Sequence, residues 1–159
     1  MKDYLKLMNI VSMNVKDFAN DKNNIEKYDL VTCNPPYFNV NEKSFFKLNL
    51  EQKIARHEIE LNLAEVFSIS KKILKNSGNL AIVHRPERLI EILLEFKNNC
   101  IEPKRIQFVY AKASKEAMLV LIEGQKNGNN GLKIEKPFIL YNEDGSLTEE
   151  YNKFLTEVR

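Results

Sequence analysis

Cysteine and histidine are scarce in this 159-residue sequence. Cys33 and Cys100 are too few for a disulfide framework or a thiolate metal set, so both read as reduced thiols. His57 and His84 lie too far apart in sequence to suggest a zinc site. No apolar run approaches the ~18 residues of a membrane span, and Met1 to Lys6 carries no signal-peptide core. The expectation is a cytosolic chain without a metal. Excess charge is missing too: 24 Lys and Arg stand against 22 Asp and Glu, a net of +2. Any nucleic-acid footprint must therefore be local. The five glycines, at 78, 124, 128, 131 and 145, form no Gly-x-Gly turn between a strand and a helix. No phosphate or cofactor fingerprint can be read from them.

What is present suits one globular domain over residues 1–159, with 43% hydrophobic and 29% charged residues. Short apolar runs alternate with helical patterns, which predicts an α/β sheet with crossover helices. Asn9 to Met13 reads as a strand and Val15 to Lys27 as a partly helical connection. Asp29 to Cys33 reads as a second strand. Ile59, Leu63, Val66, Phe67, Ile73 and Leu74 recur at helical spacing, with Gly78 placed as a left-handed cap. Asn79 to His84 reads as a strand. Pro86 then starts a helix whose apolar face is Leu89, Ile90, Leu93, Leu94 and Phe96. Arg105 to Tyr110 and Ala117 to Ile122 are joined by a loop too short for a parallel crossover, so they should be antiparallel. Residues 126–136 read as a flexible polar loop. A short strand over Pro137 to Tyr141, a turn at Asn142 to Gly145 and a helix over Thr148 to Leu155 complete the chain.

Asn34-Pro35-Pro36-Tyr37, directly after the strand Asp29 to Cys33, is the strongest motif. A polar-Pro-Pro-aromatic tetrapeptide arises by chance in roughly one chain of this length in a few hundred. A rigid turn at a strand end would also explain it. Its position favours chemistry, because the loops outside the carboxyl ends of parallel strands are where α/β sheets bind ligands. The two prolines fix the backbone and remove two donors, which leaves the Pro35 carbonyl and the Asn34 side-chain oxygen as neighbouring acceptors. Together they suit an amino group with two hydrogens. Tyr37 offers a face on which an extruded base can stack, worth ~1–3 kcal/mol. An exocyclic adenine amine is a weak nucleophile because its lone pair is delocalised into the ring. Two acceptors on its hydrogens favour a pyramidal nitrogen, so catalysis would rest on positioning and electrostatics.

The segment Asp-Leu-Val-Thr-Cys-Asn-Pro-Pro-Tyr-Phe at 29–38 resembles the amino-methyltransferase signature of the bacterial tRNA1(Val) adenine-37 N6-methyltransferases. Ile54-Ala-Arg-His-Glu58, His84-Arg-Pro-Glu-Arg-Leu89 and Ala111-Lys-Ala-Ser-Lys-Glu116 are similar to downstream blocks of that family. The likeness runs from about Asn9 to Tyr151. It implies the Rossmann-like class I fold, S-adenosylmethionine as cofactor and tRNA as substrate. Asn34, Pro35, Pro36 and Tyr37 carry over as the amine-binding set, with Phe38 beside them. Asn14 falls where the family carries an acidic residue on the cofactor adenine. Its oxygen could still accept from the adenine amine, and the Val15 amide could donate to the ring. Arg56 and His57 read equally as tRNA contacts or as a helix-start pair. Lys112 and Lys115 could touch phosphates without sequence preference. They belong to a basic stretch, Pro103 to Met118, that also holds Lys104 and Arg105 and nets +3. A protein-glutamine or other amino-methyltransferase is the rival activity, and a non-catalytic remnant the rival from another class.

The same resemblance implies that the family's first two strands and its glycine-rich cofactor turn lie outside these residues. The Asp29 to Cys33 strand would then have an unpaired edge, and Asn9 to Met13 no partner. A fragment, the half of a split gene with a separate N-terminal partner, and a protein whose early strand has re-paired all fit. In each of the first two, the chain alone should bind S-adenosylmethionine poorly.

Overall fold

The computed structural model describes residues 8–35 and 63–157. Those residues build a mixed sheet flanked by helices.

Chain order begins with a short helix α1, Val15–Asn20, capped by the Asn14 side chain, which accepts from the Lys16 amide at 2.9 Å. One turn of 3-10 helix, Lys22–Asn24, leads to β1, Tyr28–Cys33. Helix α2, Leu63–Ile73, runs directly into β2, Leu74–His84. A 3-10 turn at Pro86–Arg88 opens α3, Leu89–Asn98. Strands β3, Ile101–Tyr110, and β4, Ala117–Lys126, form a hairpin. The two-residue strands β5, Lys133–Ile134, and β6, Phe138–Ile139, each pair parallel to β3, and α4, Glu149–Glu157, ends the described chain.

The sheet order is β1-β2-β4-β3, with β5 and β6 along the far side of β3. β1 and β2 are parallel, while β4 is antiparallel to both β2 and β3, as the short connecting loop requires. The carboxyl ends of β1, β2 and β3 therefore share one edge of the sheet. Period-two alternation gives each strand a covered side, with Leu80, Ile82, Val120, Ile122 and Ile106 packed under α2 and α3. Phe67 of α2 meets Phe96 of α3 edge-on at 4.7 Å, both fully buried, a geometry worth about 0.5–1.5 kcal/mol beyond area burial.

Several sequence-based expectations need correcting. Asn9 to Met13 is not a strand: among the described residues no strand pairs with it, and Ile10, Val11 and Met13 are exposed. An extended apolar run without a neighbour has no ladder to join. Gly78 is not a helix cap. α2 stops at Ile73 because the Glu26 and Lys27 amides take the Lys72 and Ile73 carbonyls at 3.1 and 2.9 Å. Residues 75–78 then bulge out of β2, whose register to β1 jumps from Leu74 to Asn79. A Cβ at Gly78 would sit 3.1 Å from the Tyr28 carbonyl, so close approach explains this glycine. On α3 the buried face is Ile92 and Phe96, flanked by Leu89 and Leu93, while Ile90 and Leu94 face outward. Residues 126–136 are not wholly loop, since Lys126 closes β4 and Lys133–Ile134 is β5.

Candidate active site

β1 delivers the motif. Alternation along the strand puts Leu30, Thr32 and Asn34 on one side and Val31, Cys33 and Pro35 on the other. Val31 and Cys33 pack against the core and Pro35 is buried, so the chain is anchored where it leaves the sheet, and Asn34 is exposed. Burial pushes the Cys33 thiol up, which keeps it protonated and suited to packing rather than nucleophilic attack. Cys33 pairs in register with Ile82, so Asn34 stands level with Val83. Thr32 and Asn34 line a cavity of about 340 Å³ that runs across the sheet past Ala81, Val83 and Leu121 to Arg105 and Glu135. Its far end is a polar cluster in which Arg105 pairs with Glu123 at 3.1 Å and with Glu135 at 3.2 Å. The hydrogen bond from Lys133, then the charges of Lys133 and Arg105, holds Glu135 below the usual carboxylate range.

At the end of β2, beside the motif strand, His84 is 1% exposed. Its Nδ1 accepts from the Arg85 amide at 2.8 Å, which fixes the tautomer with the proton on Nε2. Desolvation, then the nearby Arg88 cation, holds the ring below its ordinary pKa, so it is neutral in the folded protein. Arg88 itself is forked onto Glu91 one turn along, which pins the start of α3. Sequence reading grouped His84 with a downstream block but gave it no role. Thr32 was also missed, although alternation from Asn34 was enough to find it.

The other sequence candidates are distributed as follows. Pro36, Tyr37, Phe38, Arg56 and His57 lie outside the described residues. Asn34 and Pro35 are placed together at the carboxyl end of β1. Asn14 spends one side-chain acceptor site on capping α1, while Val15 sits in the first turn, whose amides have no partner within the helix. Val15 lines a separate cavity with Asn9, Val11, Met13, Phe18 and Tyr28, so Val15 and Asn34 are not brought into one pocket. Lys112 and Lys115 occupy the β3–β4 loop on the same sheet edge as Asn34, three strand spacings across, or roughly 14 Å. That loop is tied down: Lys112 Nζ donates to the Glu143 carbonyl at 2.9 Å, and Ser114 donates twice to the Glu143 carboxylate. Lys104 and Arg105 lie toward the opposite end of β3, where Lys104 reaches the Asn129 carbonyl. The four cations of the basic stretch therefore do not make one patch. Among the described residues no cluster of His, Cys, Asp or Glu could hold a metal ion, and no helix is long and apolar enough to cross a membrane.

No family model matches the sequence. A curated relative from Flavobacterium psychrophilum, a tRNA1(Val) (adenine(37)-N6)-methyltransferase, is 26% identical over 106 residues, 64% of this chain and 44% of that protein. One of the same description from Parabacteroides distasonis is 38% identical over 72 residues, 43% of this chain and 29% of that protein. The crystal structure of a predicted O-methyltransferase from Agrobacterium tumefaciens superposes with a TM-score of 0.63 at 16% identity, covering 83% of this chain and 52% of that one. The fold is that of a class I methyltransferase. In sequence the chain is similar to the tRNA1(Val) (adenine(37)-N6)-methyltransferases. The match spans less than half the length of either curated relative.

None of the five glycines forms a phosphate- or methionine-cradling turn: Gly78 and Gly124 are inside strands, and Gly128, Gly131 and Gly145 lie in the stretches after β4 and β6.

Proposed function

We propose that this chain is the amine-positioning part of an S-adenosylmethionine-dependent N6-adenine methyltransferase acting on tRNA. One observation carries the reading: Asn34-Pro35 closes a parallel strand at the ligand-binding edge of a class I methyltransferase sheet, with the prolyl ring buried and the asparagine exposed. The sequence relatives supply the substrate class.

In this reading the Asn34 side-chain oxygen and the Pro35 carbonyl accept the two hydrogens of the adenine amine. They strengthen their hold as that nitrogen gains positive charge, which lowers the barrier more than it tightens ground-state binding. The burial of Pro35 holds the acceptors still. Tyr37 stacks the extruded base, with Phe38 beside it. Lys112 and Lys115, with Arg56 and His57, meet the tRNA backbone and leave sequence choice to other contacts. The methyl group comes from the cofactor, whose cradle this chain fills only in part, through Asn34 at one cavity and Asn14 and Val15 beside another. The expected result is negligible transfer by the chain alone. Joined to a segment supplying the glycine-rich turn, it should place N6-methyladenosine in unmodified tRNA, read by mass spectrometry of the digested nucleosides. Methylation of protein glutamine instead, or of no substrate in the joined form, would contradict the proposal.

A further inference from the structure

Two Asn-Gly pairs follow β4, Asn127-Gly128 and Asn130-Gly131, and the fold restrains them very differently. The first is tied down. The Asn127 amide donates to the Cys100 carbonyl at 2.8 Å, its Nδ2 donates to Asn76 Oδ1 at 2.9 Å, and the Gly128 amide donates to the Gln125 carbonyl at 3.1 Å. Gly128 is also crowded. A Cβ there would stand 3.0 Å from Lys104 Cε and 3.1 Å from Gln125 Cβ. Three residues on, these restraints end. Asn130 and Gly131 are exposed, and among the described residues neither the Asn130 side chain nor the Gly131 amide makes a hydrogen bond. Beyond its chain neighbours, nothing lies within 4 Å of where a Gly131 Cβ would stand, and its φ of 137° is one that glycine alone adopts readily.

An asparagine followed by glycine can deamidate through its own backbone. The glycine amide nitrogen gives its proton to solvent base and attacks Cγ. The N–Cγ bond forms, the Cγ–Nδ2 bond breaks, and Nδ2 leaves as ammonia with a proton from solvent. The resulting five-membered succinimide takes up one water. Opening at one carbonyl gives aspartate, and opening at the other gives isoaspartate, whose main chain runs through Cβ and Cγ. The step needs an unencumbered amide nitrogen and a Cγ that can swing onto it. Hydrogen bonds on either group must open first, so the rate falls with the free energy of local opening. Asp144-Gly145 could close the same ring with loss of water, but it is restrained as well. Asp144 Oδ1 accepts from the Ser146 amide at 2.9 Å and from its hydroxyl at 2.6 Å, and the Gly145 amide donates to the Asn142 carbonyl at 3.0 Å.

We propose that Asn130 is a site of spontaneous deamidation in the folded protein, with water as the co-reactant, and that its isoaspartyl product loosens β5. The main chain is fixed on both sides of Asn130. Lys104 holds the Asn129 carbonyl on one side. On the other, Lys133 and Ile134 pair with Arg105 and Ile106, and the Glu135 amide donates to the Ile106 carbonyl at 2.8 Å. An isoaspartyl link adds one main-chain atom between these anchors, together with a carboxylate. β5 has two residues with which to resist that change, and Glu135 beyond it is tethered to Arg105 at 3.2 Å.

The full chain is aged in mildly alkaline buffer made with heavy-oxygen water, so that each deamidation leaves one labelled oxygen. Trypsin then releases the peptide 127–133 in ordinary water, and electron-transfer mass spectrometry places the label and tells isoaspartate from aspartate. Label should accumulate at Asn130 about tenfold or more faster than at Asn127, a factor set by the hydrogen bonds that Asn127-Gly128 must open. In concentrated urea the two pairs should react at similar rates, because the contrast belongs to the fold. Equal labelling of Asn127 and Asn130 in the folded chain, or a contrast that persists in urea, would overturn the site. Amide hydrogen exchange over 133–136 should be faster in aged than in fresh protein. Asn130→Gln closes the corresponding six-membered ring far more slowly and should age without that change. Unaltered exchange in protein that carries isoaspartate in place of Asn130, or equal quickening in aged Asn130→Gln, would overturn the loosening of β5.

Discussion

Gly124→Ala is the substitution whose cost follows most directly from the structure. Gly124 lies in β4 on the side that faces α3, and a Cβ there would stand 2.4 and 2.7 Å from the Cε1 and Cδ1 atoms of Phe96 and 3.0 Å from the Glu102 carbonyl. Phe96 cannot step aside, because it is fully buried and held edge-on by Phe67 at 4.7 Å. One methyl therefore displaces a ring at the centre of the core or bends β4 away from β3. Overpacking of this kind costs about 1–3 kcal/mol. For a chain of this size each kcal/mol lowers the melting temperature by roughly 2–4 °C, so the variant should melt roughly 2–12 °C below the wild type. Circular dichroism at 222 nm with a thermal ramp reads this. Phe96→Leu should lose packing on its own, yet combined with Gly124→Ala it should cost less than the sum of the two, since the smaller side chain vacates the space the methyl needs. A Gly124→Ala protein that melts with the wild type, or strict additivity in the double variant, would refute the claim that the glycine is there for the ring.

His84 gives a pH dependence. Its ring is held neutral in the folded state by burial and the Arg88 cation, with Arg85 also opposing the charge and Glu91 favouring it, so the unfolded chain takes up a proton that the native chain refuses. Stability should be complete above the ordinary value of 6.5 and fall as pH drops below it toward the lower folded value, and His84→Asn should flatten that part of a urea-midpoint profile. Lys126, 7% exposed, donates to the Leu74 carbonyl at 2.8 Å and to Glu26 at 2.9 Å; Lys126→Met should cost about 1–3 kcal/mol in urea denaturation by removing that donor, and an unchanged midpoint would show that the pair contributes nothing. In the joined enzyme Tyr37→Ala should weaken both capture and reaction of the adenine while Tyr37→Phe stays mild, in single-turnover assays at saturating cofactor; equal damage would assign a role to the hydroxyl.

Much of the covered half of the sheet was legible in the sequence, because its signals are local. The 3.6-residue spacing of Leu63, Val66, Phe67 and Ile73 marks α2, and the short link between Tyr110 and Ala117 forces β3 and β4 to be antiparallel. The failures trace to partners distant in sequence. Gly78 sits at the right distance for a cap, but α2 is ended earlier by amides from Glu26 and Lys27, more than forty positions upstream. Ile90 and Leu94 have the hydropathy of core residues. Which stripe of α3 turns inward is set by where the Pro86–Arg88 turn leaves the helix on the sheet, and that selected Ile92 and Phe96. Asn9 to Met13 has a strand's composition and, among the described residues, no strand to pair with. At the site, the placement of Asn34-Pro35 at the end of a parallel strand was visible from the apolar run before it. The capping role of Asn14 was not, because the same short polar side chain serves a helix start or a ligand equally well.

The central claim is that Asn34 and Pro35 orient an adenine amine for methyl transfer, and Asn34→Ala in the joined enzyme tests it most directly. Turnover is read as N6-methyladenosine by mass spectrometry under single-turnover conditions at saturating cofactor, and tRNA affinity is measured separately by filter binding. The account predicts a fall in turnover of roughly 100-fold or more with tRNA affinity nearly unchanged, because the lost acceptor acts most strongly on the charge that develops in the transition state. Turnover at the wild-type level in Asn34→Ala would contradict it.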